Sequence, residues 1–278
     1  MKDKVHGLAK EYLKDIIQVR RYLHANPELS FKEYKTSKYI QQFLAENNIP
    51  FTAGFVETGI VAHIEGKNPS KKVIALRADM DALPILEENE VSYCSTNPGV
   101  MHACGHDVHT SSLLGTAKIL NTLKDQFEGT VKLIFQPGEE VLPGGASLMI
   151  KEGVMDNPKV DAVFGLHIAS GLEIGQIKYI SGSMMASSDW FTIKVKGKQT
   201  HGSTPWTGID PIVVGTQIIN NLQTIVSRQS DLTVAPVVIT VGKFHSGVRA
   251  NIIPEEAELE GTIRTLDSKM QKEVHERI

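Results

Sequence analysis

The sequence predicts an α/β protein in which a helix-covered mixed sheet forms a larger domain, followed by a smaller ferredoxin-like α+β domain. Two observations predict this fold: apolar strands alternate with amphipathic helices over the first two thirds of the chain, and a β-α-β-β-α pattern follows them. The chain has 278 residues, and roughly 100–200 residues per domain corresponds to two domains. We place the boundary where the pattern changes, which gives domains 1–183 and 184–278.

Composition and charge exclude several classes of protein. The chain carries 29 basic and 32 acidic side chains, with 41% hydrophobic and 22% charged residues, a mixture typical of globular proteins. This balance excludes a disordered chain, a collagen and a basic nucleic-acid binder. No apolar run approaches the ~18–20 residues of a membrane helix. Charges throughout the first 25 residues argue against a secretory signal, so we expect a cytoplasmic protein with no membrane partner.

Periodicity predicts each element of the larger domain in turn. Helical spacing of apolar residues predicts helices over about 3–24, 36–47, 111–123 and 146–152. Apolar runs predict strands over 60–64, 72–77, 129–135 and 161–166. Strands separated by helices indicate a parallel or mixed sheet covered on both faces. Ligands bind at the carboxyl ends of the strands in such sheets, so polar residues directly after a strand are candidates for a site.

The smaller domain shows a different order of elements. Alternation of apolar and polar residues predicts strands over 189–196, 237–243 and 258–265. A helix over 211–227 begins with Pro211 after the plausible N-cap Asp210, and a last helix begins at Asp267 or Ser268. The order β-α-β-β-α corresponds to a ferredoxin-like unit without its closing strand.

A short segment, His102-Ala-Cys-Gly-His-Asp107, concentrates residue types that bind metals. Thiolate and imidazole are natural ligands of zinc and similar ions, and Cys104 and His106 are able to reach one ion from a tight loop. Asp107 is a candidate to orient an imidazole. The alternative is a polar loop that enters a helix at Ser111, with histidines that cap the helix or are solvated.

Other candidate residues also follow strands. Glu139 and Glu140 come after strand 129–135, and two adjacent carboxylates can divide between holding a metal and moving a proton. His167 ends an apolar strand, while Asp79 and Asp81 follow another. Each has a structural alternative when considered alone: a Glu-Glu pair is often solvated, a histidine at a strand end often lies in a core, and an aspartate often caps the next segment.

Four motifs together are far more specific than any one of them. In chain order they are Arg77-Ala-Asp-Met-Asp-Ala-Leu-Pro84, His102-Ala-Cys-Gly-His-Asp107, Gln136-Pro-Gly-Glu-Glu140 and Gly165-Leu-His167. With the early segment 20–29, they resemble the M20 metallopeptidase family over essentially the whole chain, in particular its amidohydrolase branch. That branch includes aminoacylases, hippurate hydrolases, indoleacetyl-amino-acid hydrolases and N-acetyldiaminopimelate deacetylases. The resemblance implies an enzyme that cleaves the amide bond of N-acyl amino acids.

The resemblance also implies a role for each matched residue of the larger domain. The residues that match the family's ligands for two divalent ions (zinc, manganese, nickel or cobalt) are Cys104, His106, Glu140 and His167. Glu139 matches the general base, which acts on a water activated by metal. Asp81 matches a carboxylate that supports a ligand. Other branches carry a histidine ligand at the position of Asp79, which therefore does not match the ligand pattern.

A further motif, 196–205 (KGKQTHGSTP), resembles the family's lid and dimerisation domain. The resemblance implies that this domain is inserted into the catalytic domain and that the protein is a homodimer formed through it. His201 matches the histidine that contacts the substrate carbonyl. Asn251 and Arg264 match positions that bind the substrate's backbone and carboxylate, and the planar fork of arginine suits a carboxylate. Spacing alone favours structural roles for these three residues.

The resemblance has one departure, at the C-terminal end. Members of this branch take a further histidine ligand after the lid rejoins the catalytic domain, whereas this chain ends at Ile278 within the lid's second helix. We therefore expect a chain truncated at its C-terminus. Two alternatives to the N-acyl amino acid hydrolase stay open: a catalytically inactive homologue that binds metal or forms dimers, and a dipeptidase or carboxypeptidase of the same family.

Overall fold

The computed structural model describes residues 1–278, which divide into two compact units, Met1–Gly171 and Leu172–Ile278. This division lies earlier than the predicted boundary between residues 183 and 184. The difference has a simple origin, because residues 166–188 form neither helix nor strand and both boundaries lie within this connection.

A five-stranded sheet forms the centre of the first unit. Its strands are β1 (Phe51–Phe55), β2 (Gly59–Glu65), β3 (Val73–Asp79), β4 (Thr130–Gln136) and β5 (Ala162–Gly165). They are arranged in the order β1-β2-β4-β3-β5, in which β1, β2 and β4 pair antiparallel whereas β4, β3 and β5 pair parallel. The sheet is therefore mixed, as predicted. The edge strand β1 was not predicted, because its three middle residues are exposed and it lacks an apolar run.

Helices cover this sheet on both faces. They are α1 (Lys2–Ala25), α2 (Tyr34–Glu46), α3 (His106–Thr122) and α4 (Gly145–Lys151). On one face, α1, α2 and α3 bury Leu23, Leu44 and Leu114 against the sheet's Leu133 and Phe135. On the other face, α4 and the turn after it bury a smaller cluster of Val61, Ala75, Ile134, Met149 and Val154. The two clusters alternate along β4, as the side chains of a strand must.

Lys132 of β4 is fully buried, which is unusual for a lysine. Its Nζ donates hydrogen bonds to the carbonyl oxygens of Val154, Asp156 and Pro158, at 2.8, 2.8 and 3.0 Å. Three acceptors match the three donors of an ammonium group, although burial still lowers the pKa of this lysine. The side chain thus joins β4 to the turn that leads into β5.

The longer strands and the helices of the second unit follow the predicted β-α-β-β-α order, and two short strands that were not predicted accompany them. The elements of this unit are β6 (Asp189–Lys196), β7 (Thr200–His201), α5 (Pro211–Thr224), β8 (Val237–Ser246), β9 (Ile252–Ile253), β10 (Glu256–Thr265) and α6 (Ser268–Arg277). β10 lies between β6 and β8 and pairs antiparallel with both, while the short strands β7 and β9 pair separately. Asp210 caps α5 by accepting from the amides of Ile212 and Val213, and Pro211 occupies the first helical position.

Of all the helices in the chain, none has both the length and the apolar character needed to cross a membrane. The longest helix, α1, buries only Val19, Leu23 and His24 and is otherwise largely exposed. Its burial pattern agrees with the predicted amphipathic surface helix.

Candidate metal centre

Helix α3 begins at His106 rather than at Ser111, so His106 is the first residue of a helix and not part of a loop. Gly105 precedes it with φ at +84°, in the left-handed region. A Cβ at this position would also overlap the side chain of Ile168. Glycine is therefore required for the sharp turn that presents Cys104 and His106 together. The helix was predicted to begin only at Ser111 because the apolar periodicity of α3 starts after its polar first turn.

The other candidate residues follow the carboxyl ends of three parallel strands. β3 ends at Asp79 and is followed by Asp81, while β4 is followed by Glu139 and Glu140. β5 is followed by His167. Because parallel strands end at the same edge of a sheet, the topology brings these side chains to the N-terminus of α3.

His106 lies at the centre of the candidate site, and its Nε2 faces three carboxylates. This atom is 3.7 Å from Asp79 Oδ1, 3.8 Å from Glu140 Oε1 and 4.0 Å from Glu139 Oε2. His106 Nε2 and Glu140 Oε1 are both buried and have no hydrogen-bond partner. Ligand atoms held about 2.0–2.2 Å from one ion lie no more than about 4.4 Å apart, so these separations fit a shared metal.

Cys104 and His167 form the second part of the site. Cys104 Sγ lies 3.3 Å from His167 Nε2. The other ring nitrogen of His167, Nδ1, donates to the carbonyl oxygen of Ile168 at 2.6 Å, which leaves Nε2 free to act as a ligand. The ligand atoms of Cys104, His106 and His167 all lie within 4.8 Å of one another. Thiolate, imidazole and carboxylate donors in one cluster fit zinc and related divalent ions.

Asp81 is hydrogen-bonded to the ring of His106. Asp81 Oδ1 accepts from His106 Nδ1 at 3.1 Å, and Asp81 Oδ2 accepts from the hydroxyl of Ser30 at 2.7 Å and from the amide of Glu140 at 3.0 Å. Burial opposes ionisation, but these hydrogen bonds lower the pKa of Asp81 to about 2. The carboxylate is therefore charged and holds the imidazole with Nε2 toward the candidate site.

Asp107 does not orient a candidate ligand, which corrects the expectation for this residue. Its Oδ2 lies 2.7 Å from His24 Nδ1 and 2.9 Å from Arg20 Nε, both of which belong to α1. His24 Nε2 in turn lies 3.0 Å from Glu87 Oε1. The network joins the first turn of α3 to the C-terminal part of α1.

His109 supports the site in a way that sequence reasoning missed. Its Nδ1 lies 2.6 Å from Asp79 Oδ1, and its Nε2 accepts from the amide of Ile168 at 3.0 Å. Arg77 Nη1 donates to the other oxygen of Asp79 at 2.6 Å. His109 therefore connects β3 to the segment that contains His167. The sequence feature that could have identified His109 is its position three residues after His106, which places both side chains on one face of α3.

The electrostatic environment favours a cation. Burial, and then the nearby Glu140 and Glu139, raise the pKa of the Cys104 thiol to about 12. Burial and the adjacent Glu140 also raise the pKa of Glu139. Both shifts express the cost of placing negative charges close together away from water, a cost that a bound divalent ion would relieve.

The second unit brings two of its three candidate residues together. His201 lies on β7 opposite Ile252 of β9, and the amide of Gly202 donates to the carbonyl oxygen of Asn251 at 2.8 Å. His201 is exposed, and its Nδ1 lies 2.7 Å from the hydroxyl of Ser203. The third residue, Arg264, lies on β10 in the other sheet, where Nη1 donates to the carbonyl oxygen of Ile263 at 3.0 Å.

Comparison with known proteins identifies the family. The sequence profile of peptidase family M20/M25/M40 matches residues 75–268, which is most of the chain. The chain belongs to the M20 peptidase family. Its relatives include an N-acyl-L-amino acid amidohydrolase and an N-acetyl-L-cysteine deacetylase. As predicted, this M20 protein therefore belongs to the amidohydrolase branch and is a metal-dependent amidohydrolase by type.

Several known proteins are similar in sequence to this M20 chain. An N-acyl-L-amino acid amidohydrolase from Geobacillus stearothermophilus is 45% identical over 273 residues, which cover 98% of this chain and 73% of the relative. Thermostable carboxypeptidase 2 from Saccharolobus solfataricus is 47% identical over 97% of this chain and 68% of its own length. An N-acetyl-L-cysteine deacetylase from Bacillus subtilis is 41% identical over 95% of this chain and 62% of its own length.

A solved structure from the M20 family has the same fold as this chain. The Bacillus subtilis YXEP protein, described as a dinuclear metal binding peptidase from the M20 family, superposes with a TM-score of 0.80. The two sequences are 40% identical, and the match covers 96% of this chain and 68% of the other. The mixed α/β fold of this M20 protein is thus the fold of its family.

Proposed function

We propose that this M20 protein hydrolyses the amide bond of N-acyl amino acids and releases a carboxylic acid and an amino acid. The observation that carries the proposal is the convergence of unpartnered ligand atoms of His106 and Glu140 beside Cys104 Sγ and His167 Nε2. The names of two relatives, an N-acyl-L-amino acid amidohydrolase and an N-acetyl-L-cysteine deacetylase, support this substrate class.

Four side chains of the first unit would hold two divalent ions, which would be zinc, manganese, nickel or cobalt. These side chains are Cys104, His106, Glu140 and His167. When bound, such ions polarise a carbonyl and lower the pKa of water toward neutrality. The protein's part is to present the donors in one cluster, with Asp81 and the backbone at Ile168 holding two imidazoles in the required orientation.

Glu139 serves as the general base. Its carboxylate lies beside the candidate ligands, 4.0 Å from His106 Nε2, and its side chain is 41% exposed. It therefore has access both to the candidate metal site and to the solvent side from which water and substrate arrive. Glu139 takes a proton from the attacking water and passes it to the nitrogen of the departing amino acid.

Three residues of the second unit bind the substrate. His201 donates to the carbonyl oxygen as negative charge develops on it. Asn251 and Arg264 hold the backbone and the carboxylate of the amino acid, for which a guanidinium provides two parallel donors. The pairing of β7 with β9 supports the first two assignments, because it keeps His201 and Asn251 adjacent. We also propose that this unit is the lid of a cytoplasmic homodimer and forms its interface.

Peptide hydrolysis is a second candidate activity. The specific observation in its favour is the 47% identity to thermostable carboxypeptidase 2. Both reactions cleave an amide next to a free carboxylate, so the same metal ligands and the same Arg264 serve either of them. The group on the acyl side then distinguishes the substrates.

The test combines metal content with substrate preference. We expect the chain to bind two equivalents of zinc, manganese or cobalt and to release amine from N-acetyl-methionine and hippurate faster than from free dipeptides. Chelation should abolish the activity and added metal should restore it, as elemental analysis and amine detection would show. Faster cleavage of dipeptides would instead identify a peptidase. Binding of one ion or none, without turnover, would leave a metal-binding or dimer-forming homologue.

A further inference from the structure

The turn that carries Glu139 and Glu140 is held by two carboxylates, one on each side of Glu139. The amide of Gly138 donates to Glu33 Oε1 at 2.9 Å, and the amide of Glu140 donates to Asp81 Oδ2 at 3.0 Å. Asp81 already has a part in the site because it also contacts His106. Glu33, which lies just before α2, has no role in the activity proposed so far.

Glu33 is fully buried and makes no ion pair. Its Oε1 also accepts from the amide of Phe31 at 2.8 Å, and its Oε2 accepts from the hydroxyl of Thr58 at 2.7 Å. A buried carboxylate without a cation is costly and persists only where hydrogen bonds satisfy it. One of the three donors is the turn's own amide at Gly138, and another belongs to Phe31, whose ring packs on Gly138, so this turn and Glu33 stabilise each other.

The segment around Glu33 is shaped to fit this turn. Phe31 has φ at +62°, an uncommon conformation for a bulky residue. Its amide donates one of the two backbone hydrogen bonds that Glu33 accepts. The Phe31 ring packs on Gly138 so closely that a Cβ at Gly138 would overlap it. Ser30, directly before Phe31, donates to Asp81 Oδ2 at 2.7 Å. The segment is therefore tied to both carboxylates that hold the turn.

We propose that Glu33 is a positioning residue that fixes the direction in which Glu139 and Glu140 leave the turn. This inference rests on the proposed role of Glu140 as a metal ligand. Without the carboxylate, the amide of Gly138 and the hydroxyl of Thr58 lose their acceptor, and the turn is held on one side only. Loss of a group that orients a metal ligand typically costs about 10–100-fold in metal affinity.

The experiment compares Glu33→Ala with Glu33→Gln and with Glu28→Ala as a matched control. Glutamine keeps an oxygen for the amides of Phe31 and Gly138, and its NH₂ can donate to the hydroxyl of Thr58. Glu28 belongs to the same segment and also accepts three hydrogen bonds, but its donors are the amides of Lys35 and Thr36 and the Thr36 hydroxyl, at the start of α2. Removing the Glu28 carboxylate therefore destabilises the start of α2 but removes no hydrogen bond to the Gly138 turn.

The readouts are the affinity for cobalt, measured by competition with a chromophoric chelator, and the visible absorption spectrum of the cobalt protein. We expect Glu33→Ala to bind cobalt about 10–100-fold more weakly and to change the spectrum. Glu33→Gln should recover most of the affinity and the original spectrum. Glu28→Ala should lower the midpoint of thermal unfolding but keep both cobalt properties. If Glu33→Ala does not fold, Glu33→Asp replaces it, because the shorter side chain keeps the charge and withdraws from Gly138.

Two results would overturn the inference: an unchanged cobalt affinity and spectrum in Glu33→Ala or Glu33→Asp, or a loss in Glu28→Ala that equals theirs. Glu140→Ala, measured alongside, tests the assumption about the ligand and should bind cobalt weakly. A wild-type chain that binds cobalt but hydrolyses no N-acyl amino acid would refute the proposed function alone. The cobalt measurements on the Glu33 variants would still decide the present inference.

Discussion

Glu139→Gln is expected to lower kcat for N-acetyl-methionine by about 10²–10⁴-fold, the range associated with loss of a general base, and to leave the metal content unchanged. Glutamine has nearly the same size and keeps one acceptor oxygen, but it cannot take a proton from the attacking water. Glu139 is also one of the three carboxylates that face His106 Nε2. Measuring metal content together with kcat therefore separates a base from a ligand.

Glu140→Gln is the matched control for this experiment, because it changes the adjacent carboxylate in the same way. In the wild-type chain, Glu140 Oε1 is buried and unpartnered and lies 3.8 Å from His106 Nε2. We therefore expect Glu140→Gln to lose metal as well as activity. Normal hydrolysis by Glu139→Gln would remove Glu139 as the base. Loss of metal from Glu139→Gln but not from Glu140→Gln would exchange the two assignments.

Lys132→Met should destabilise the protein by at least about 3 kcal/mol, because three buried carbonyl oxygens lose their hydrogen-bond donor. Methionine is apolar and only one heavy atom shorter than lysine, so the change creates little cavity. It leaves three buried carbonyl oxygens, those of Val154, Asp156 and Pro158, without their charged donor. Each unsatisfied buried group costs about 1–3 kcal/mol, which is consistent with this total.

Urea unfolding measures this effect as a difference in the free energy of unfolding. Lys151→Met is a suitable control, since Lys151 is exposed on α4 in the same unit and the substitution removes the same charge. The control should stay within about 0.5 kcal/mol of the wild type. A Lys132→Met protein as stable as the control would show that the turn after α4 does not need the lysine.

Much of the fold was predictable because its signals are local. The strand Asp189–Lys196 was predicted with its observed bounds, since its side chains alternate strictly between the two faces of the sheet. The start of α5 was predicted as well, because Asp210 and Pro211 are a capping residue and a first-turn residue adjacent in sequence. By contrast, the start of α3 was predicted too late, because its polar first turn lacks apolar periodicity and follows a glycine with positive φ.

The sequence by itself determined the family, the mixed sheet, and the residue types that converge on the candidate metal centre, including Cys104, His106 and Glu140. These follow from short motifs and from the rule that parallel strands end at one edge. Only the tertiary structure decided which side chains support them. Asp107 pairs with His24 rather than with a ligand, His109 reaches the segment of His167, and Glu33 holds the turn at Gly138. Such contacts join residues 59–105 positions apart, and hydrogen-bond geometry across that separation exists only once the chain has folded.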